Sequence, residues 1–100
     1  MVVETAEAKA AAEESSRKKA DRRRNLVRSY TEVVVNDKII KSQNFLSQGE
    51  FSEALKMVEM AEGVVKRNQV DLGEELLSQY EIMLKRLRRE IVEQQSEGAR

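Results

Sequence analysis

Residues 44–61 read NFLSQGEFSEALKMVEMA, and the centre of this stretch decides the fold. Gln48-Gly49-Glu50 interrupts an apolar pattern that runs on both sides of it. Glycine enters the left-handed conformation that closes a helix without steric penalty, so Gly49 marks a turn between two helices. Beyond it Phe51, Ala54, Leu55, Val58, Ala61 and Val65 recur at three- and four-residue steps, with Met57, Met60 and Val64 beside them. That spacing predicts a second helix from 51 to about 66. Lys66 and Arg67 suit the negative end of its dipole, and Asn68 suits its end. Gly63 lies inside this helix, where glycine costs about 1 kcal/mol relative to alanine, so its expected use is to let a neighbouring helix approach closely.

Behind the turn, Leu26, Tyr30, Val33 and Ile40 fall on one side of a helix and Val35, Ile39 and Leu46 on a second. The expectation is a first helix over 25–47, covered on two faces. TEVVV and KIIKS also admit a β-hairpin around Asn36-Asp37, because β-branched residues cluster there. A lone hairpin is marginal in water and would find no further strand, which favours the helix. Ahead of the turn, Asp71 and Glu74 stand at the spacing of a capping box, which starts a third helix over 72–94. Leu76, Tyr80, Met83, Leu84, Leu87 and Ile91 form one ridge along it.

The fold class is therefore all-α: an antiparallel three-helix bundle, or a helical hairpin plus a third helix, over residues 25–95. The 100 residues contain no proline and four glycines, and helix formers dominate. Residues 1–24 form a basic, Ala/Glu-rich arm that offers only alanines as an apolar face from Glu4 to Arg24, so a helix there gains little from packing. It is either a solvated extension of the first helix or a frayed basic tether. Residues 96–100, SEGAR, are expected to fray.

The side-chain inventory argues against catalysis. Histidine and cysteine are absent, as are the glycine-rich phosphate loops, so no catalytic, cofactor or metal residue is assigned and no small-molecule substrate is expected. No run approaches the roughly 18 apolar residues of a membrane span, and residues 1–24 lack the apolar centre of a secretory signal. Eighteen basic residues balance eighteen acidic ones, but Arg17, Lys18, Lys19, Arg22, Arg23, Arg24 and Arg28 face the single acid Asp21 within 17–28, a local +6. This cluster is the candidate contact for nucleic acid or an anionic membrane surface, without an aromatic for base stacking.

Phe45, Gly49, Phe51, Ala54, Leu55 and Ala61 resemble the turn and second helix of one tetratricopeptide repeat, departing from that pattern at Lys38, Lys41 and Lys66. The GEF turn, SEAL in the second helix, and Tyr80 with Leu84-Lys85-Arg86-Leu87 in the third are also similar to the microtubule-interacting and transport domain, a three-helix bundle. Both resemblances imply a module that recognises a partner protein or peptide. The expected function is thus a non-enzymatic adaptor or scaffold, docking a partner on apolar residues left uncovered: Met57, Met60, Val64, Val35 and Ile39. The methionines, with Met83, would suit an adaptable groove. The alternatives are polyanion binding through the arm, and a coiled-coil oligomer built on the ridge of the third helix.

Overall fold

The computed structural model describes residues 6–98, and their side chains from Ser16 onward. Three helices follow one another: α1 (Ala6–Ser47), α2 (Phe51–Arg67) and α3 (Gln69–Gly98). No strand occurs among the described residues, and the segment TEVVVNDKIIK lies wholly within α1. Its β-branched side chains are accommodated because tertiary packing of Val35 and Ile39 outweighs a small deficit in helix propensity.

The α1–α2 turn closes as a Schellman motif. Gly49 adopts φ +75°, the Glu50 amide donates to the Phe45 carbonyl at 2.9 Å, and the Gly49 amide donates to the Leu46 carbonyl at 3.0 Å. Two carbonyls that the end of α1 would leave unpaired are thereby satisfied. The chain then reverses, and α2 packs antiparallel to α1. Ala54 and Ala61, both fully buried, allow the two helices to approach closely. Ser42, also fully buried, donates its hydroxyl to the Ala54 carbonyl at 2.9 Å across this contact.

The α2–α3 corner differs from the expected capping box. One helical turn over 69–72 is followed by a kink at Gly73 (φ 79°, ψ 164°), and regular helix resumes after it. The residue preceding that regular helix is glycine, in a conformation L side chains rarely adopt, so Asp71 does not occupy the capping position. Two struts hold the corner against α1. The Asn68 Nδ2 donates to the Thr31 Oγ1 at 3.1 Å, and that hydroxyl donates to the Val27 carbonyl at 2.7 Å. The Arg28 Nε donates to the Asp71 carbonyl at 2.8 Å.

Beyond the kink α3 runs parallel to α1: Leu76, Gln79 and Tyr80 lie along Asn25–Asn36, whereas Leu87 and Glu90 lie along Ile39 and Gln43. Val35, Val58, Val65, Leu72, Leu84, Leu87 and Ile91 fill the core between the three helices. Most of the third-helix ridge is consumed here, with Leu76 half-buried and Met83 left exposed. Tyr80, Leu84, Leu87 and Ile91 are buried within the chain, which removes them as the seam of a coiled-coil oligomer.

Both ends of the prediction are too short. α1 begins at Ala6 instead of residue 25, as the solvated-extension alternative for 1–24 allowed, and α3 continues through Ser96, Glu97 and Gly98. Ala99 and Arg100 of the expected tail, and residues 1–5 of the arm, lie outside the described residues. A helix of 42 residues is about 63 Å long at 1.5 Å per residue. The molecule is accordingly a rod, 83 × 18 × 13 Å.

Candidate docking surface

α1 carries two apolar stripes on opposite sides. Thr31, Val35, Ser42 and Leu46 face α2 and are buried. At 100° per residue, Leu26, Tyr30, Val33 and Ile40 share an arc of about 80° centred on the other side. They are 71, 61, 69 and 58% exposed. The expectation that both faces are covered is corrected on this point: α2 and α3 lie on one side of α1, and none of the described residues returns to the other. Val27 and Val34, half-buried, border the free stripe.

The steps between these residues are those of a helix–helix seam: 26, 30, 33, 37, 40 and 44 alternate by four and three, with Asp37 and Asn44 as polar members. Asp37 is held by Lys41 at 3.0 Å and Lys38 at 3.8 Å. Extended toward the N-terminus, the same steps meet Arg23 and Lys19, with Arg22 beside them, all exposed. The face thus changes from apolar to cationic along its length.

The residues expected to bind a partner divide. Met60 is half-exposed, Met57 and Ile39 are half-buried, and Val64 is nearly enclosed. Val35 has no exposed surface at all and belongs to the core, so it is withdrawn as a contact residue. Val64 is likewise a core-side residue at 7% exposure. Met60 and Met83 line different clefts, Met60 beside Lys38 and Gly63 and Met83 beside Ile39 and Ile82, so the methionines build no common groove. Gly63 also differs from expectation. It is exposed, and a Cβ added there would meet nothing within 4 Å, so no helix approaches it.

Of the basic cluster, Arg17, Lys18, Lys19, Arg22, Arg23 and Arg24 are exposed. Arg28 is half-buried, and its bond to the Asp71 carbonyl commits it to the fold. Arg88 and Glu62 form a further ion pair joining α3 to α2. Among the described residues no three acidic side chains come together as a metal-binding group, and no helix is long and apolar enough to cross a membrane. Tyr80 sits in the α1/α3 cleft, where burial and then the Glu32 carboxylate raise its phenol above the ordinary value of 10.0.

Leu26, Tyr30, Val33 and Ile40 were visible in the sequence as a stripe, but their exposure was not. The signal was the count of faces: a helix apolar on two opposite sides needs neighbours on both, and two further helices joined by short turns both lie on one.

No protein-family model matches the chain, no curated protein is similar to it at a significant level, and no solved structure matches its fold at a significant level.

Proposed function

We infer that this protein is a non-enzymatic binding module, an adaptor or scaffold, that docks a helix of a partner protein on the free face of α1. One observation carries it: four large apolar side chains stand more than half exposed in a line at seam spacing. Scattered exposed hydrophobics need no explanation, but an ordered row on a rigid element is what a partner helix covers. The sequence resemblance of residues 44–61 to a tetratricopeptide unit, and of the GEF, SEAL and Leu84–Leu87 motifs to a microtubule-interacting and transport domain, supports the same class of function.

The test is selection of amphipathic helices from a displayed peptide library on the intact chain. Helices that bind it and lose about tenfold or more of their affinity for Val33→Glu support docking on this face. Selected helices that bind Val33→Glu equally well overturn it.

A second reading rests on the exposure of Arg17, Lys18, Lys19, Arg22, Arg23 and Arg24, on a helical extension where phosphates could reach them. Polyanion affinity would then fall steeply with salt and vanish when residues 1–24 are deleted; salt-independent binding would rule it out.

A further inference from the structure

We propose that the helix docked on α1 is acidic at one end: it sets apolar residues at three- and four-residue steps against Leu26, Tyr30, Val33 and Ile40, and carboxylates against Lys19, Arg22 and Arg23. This rests on docking at the free face and goes beyond it by naming the partner's chemistry. Lys19, Arg22 and Arg23 are exposed and make no ion pair with any of the described residues. Among the described residues no carboxylate answers them. Asp37 lies on the same face but is held by Lys41 and Lys38, and Glu32 lies in the cleft with Tyr80 on the other side of α1.

A second copy of this chain fits poorly. In a parallel pair Lys19, Arg22 and Arg23 meet themselves, and like charges at a helix seam repel. In an antiparallel pair centred on Val33 they fall opposite residues 43–47, where the outward side chains are Gln43, Asn44 and Ser47, none of them acidic. Either arrangement leaves the cations without partners. An anionic membrane fits poorly as well, because the apolar line is broken by Asp37 and Asn44. Sinking that line into hydrocarbon would bury a carboxylate, whereas a helical seam tolerates single polar members, which set its register. A foreign acidic helix satisfies both ends of the face at once.

The experiment uses the helices selected on the intact chain, in a library whose flanking positions are randomised. Enriched helices are expected to cluster Asp and Glu at one end and to bind more weakly as salt rises. They should lose about tenfold affinity or more when those acids become Gln, and equally when the protein carries Lys19→Ala, Arg22→Ala and Arg23→Ala, with far-UV circular dichroism showing each variant folded. Helices that depend on Val33 but are indifferent to charge would overturn the acidic partner while leaving docking on this face in place. Absence of any Val33-dependent helix would overturn both. A concentration-dependent dimer dissolved by Val33→Glu, or phosphatidylserine vesicles bound in place of the helices, would replace the acidic partner by a second copy or a lipid surface.

Discussion

Arg28 and Asp71, 43 positions apart in the sequence, are joined by a hydrogen bond of 2.8 Å from the guanidinium Nε to a main-chain carbonyl oxygen. The acceptor lies two residues before the kink at Gly73, and a Cβ on Gly73 would stand 3.4 Å from an Arg28 Nη. The basic cluster therefore ends in a structural residue, and the corner between α2 and α3 is shaped around it.

Removing that guanidinium tests the corner. Arg28→Met keeps much of the aliphatic stem but loses the charged donor, and is expected to lower stability by about 1.5–3 kcal/mol. Gly73→Ala forces a side chain into a positive-φ conformation, at a cost of about 1–3 kcal/mol. Urea denaturation of each variant measures both, and because a Cβ at position 73 would stand against the Arg28 guanidinium, the double variant should fall short of the sum.

Gly63 makes the opposite prediction. Its surroundings are open, so Gly63→Ala adds helix propensity without a clash and should raise stability by about 1 kcal/mol in thermal or urea unfolding. A loss of stability would mean that something packs over this residue.

Ser42 lies fully buried where α1 crosses α2. Ser42→Ala removes the donor to the Ala54 carbonyl and should cost about 1 kcal/mol, that carbonyl keeping its helical partner. Ser42→Leu overfills the contact between close-packed helices and should cost about 1–3 kcal/mol. A ranking of leucine above alanine in chemical denaturation would contradict the close packing.

Tyr80 predicts an alkaline dependence. Burial, and secondarily Glu32, raises its folded pKa above the unfolded value, so the folded state holds the phenolic proton more tightly. Its contribution to stability is complete below about pH 10, the unfolded value, and is lost as pH rises through the folded pKa. Unfolding free energy measured from pH 8 upward should decline above about pH 10 in the native protein and less in Tyr80→Phe; equal slopes would remove Tyr80 as the cause.

The helical hairpin was legible in the sequence because each of its signals is local. Gly49 alone breaks the apolar period, and the bonds that close the turn span residues 45–50. Gly73 was not legible, since its kink answers to Arg28 on another helix, and Asp71 with Glu74 mimicked a start signal three residues apart. Residues 6–24 show the limit of packing arguments: an alanine face predicts little gain from burial, but propagation from the ordered helix behind it needs no burial. At the candidate site the apolar residues themselves were all readable. What periodicity could not supply was which of two stripes would find neighbours, and it is the choice of side by α2 and α3 that buries Val35 and leaves Val33 in water.

The length of α1 beyond its neighbours has a spectroscopic consequence. From Ser16 to Leu26 every side chain of this helix is exposed, so its helicity is sustained from one end by the bundle. Heating should therefore erode ellipticity at 222 nm as a sloping baseline before the bundle melts, while the near-ultraviolet signal of Tyr80 stays flat until the cooperative transition. Two optical probes of one molecule would then report different midpoints without any folding intermediate, and a two-state fit to ellipticity alone would understate how sharply the core unfolds.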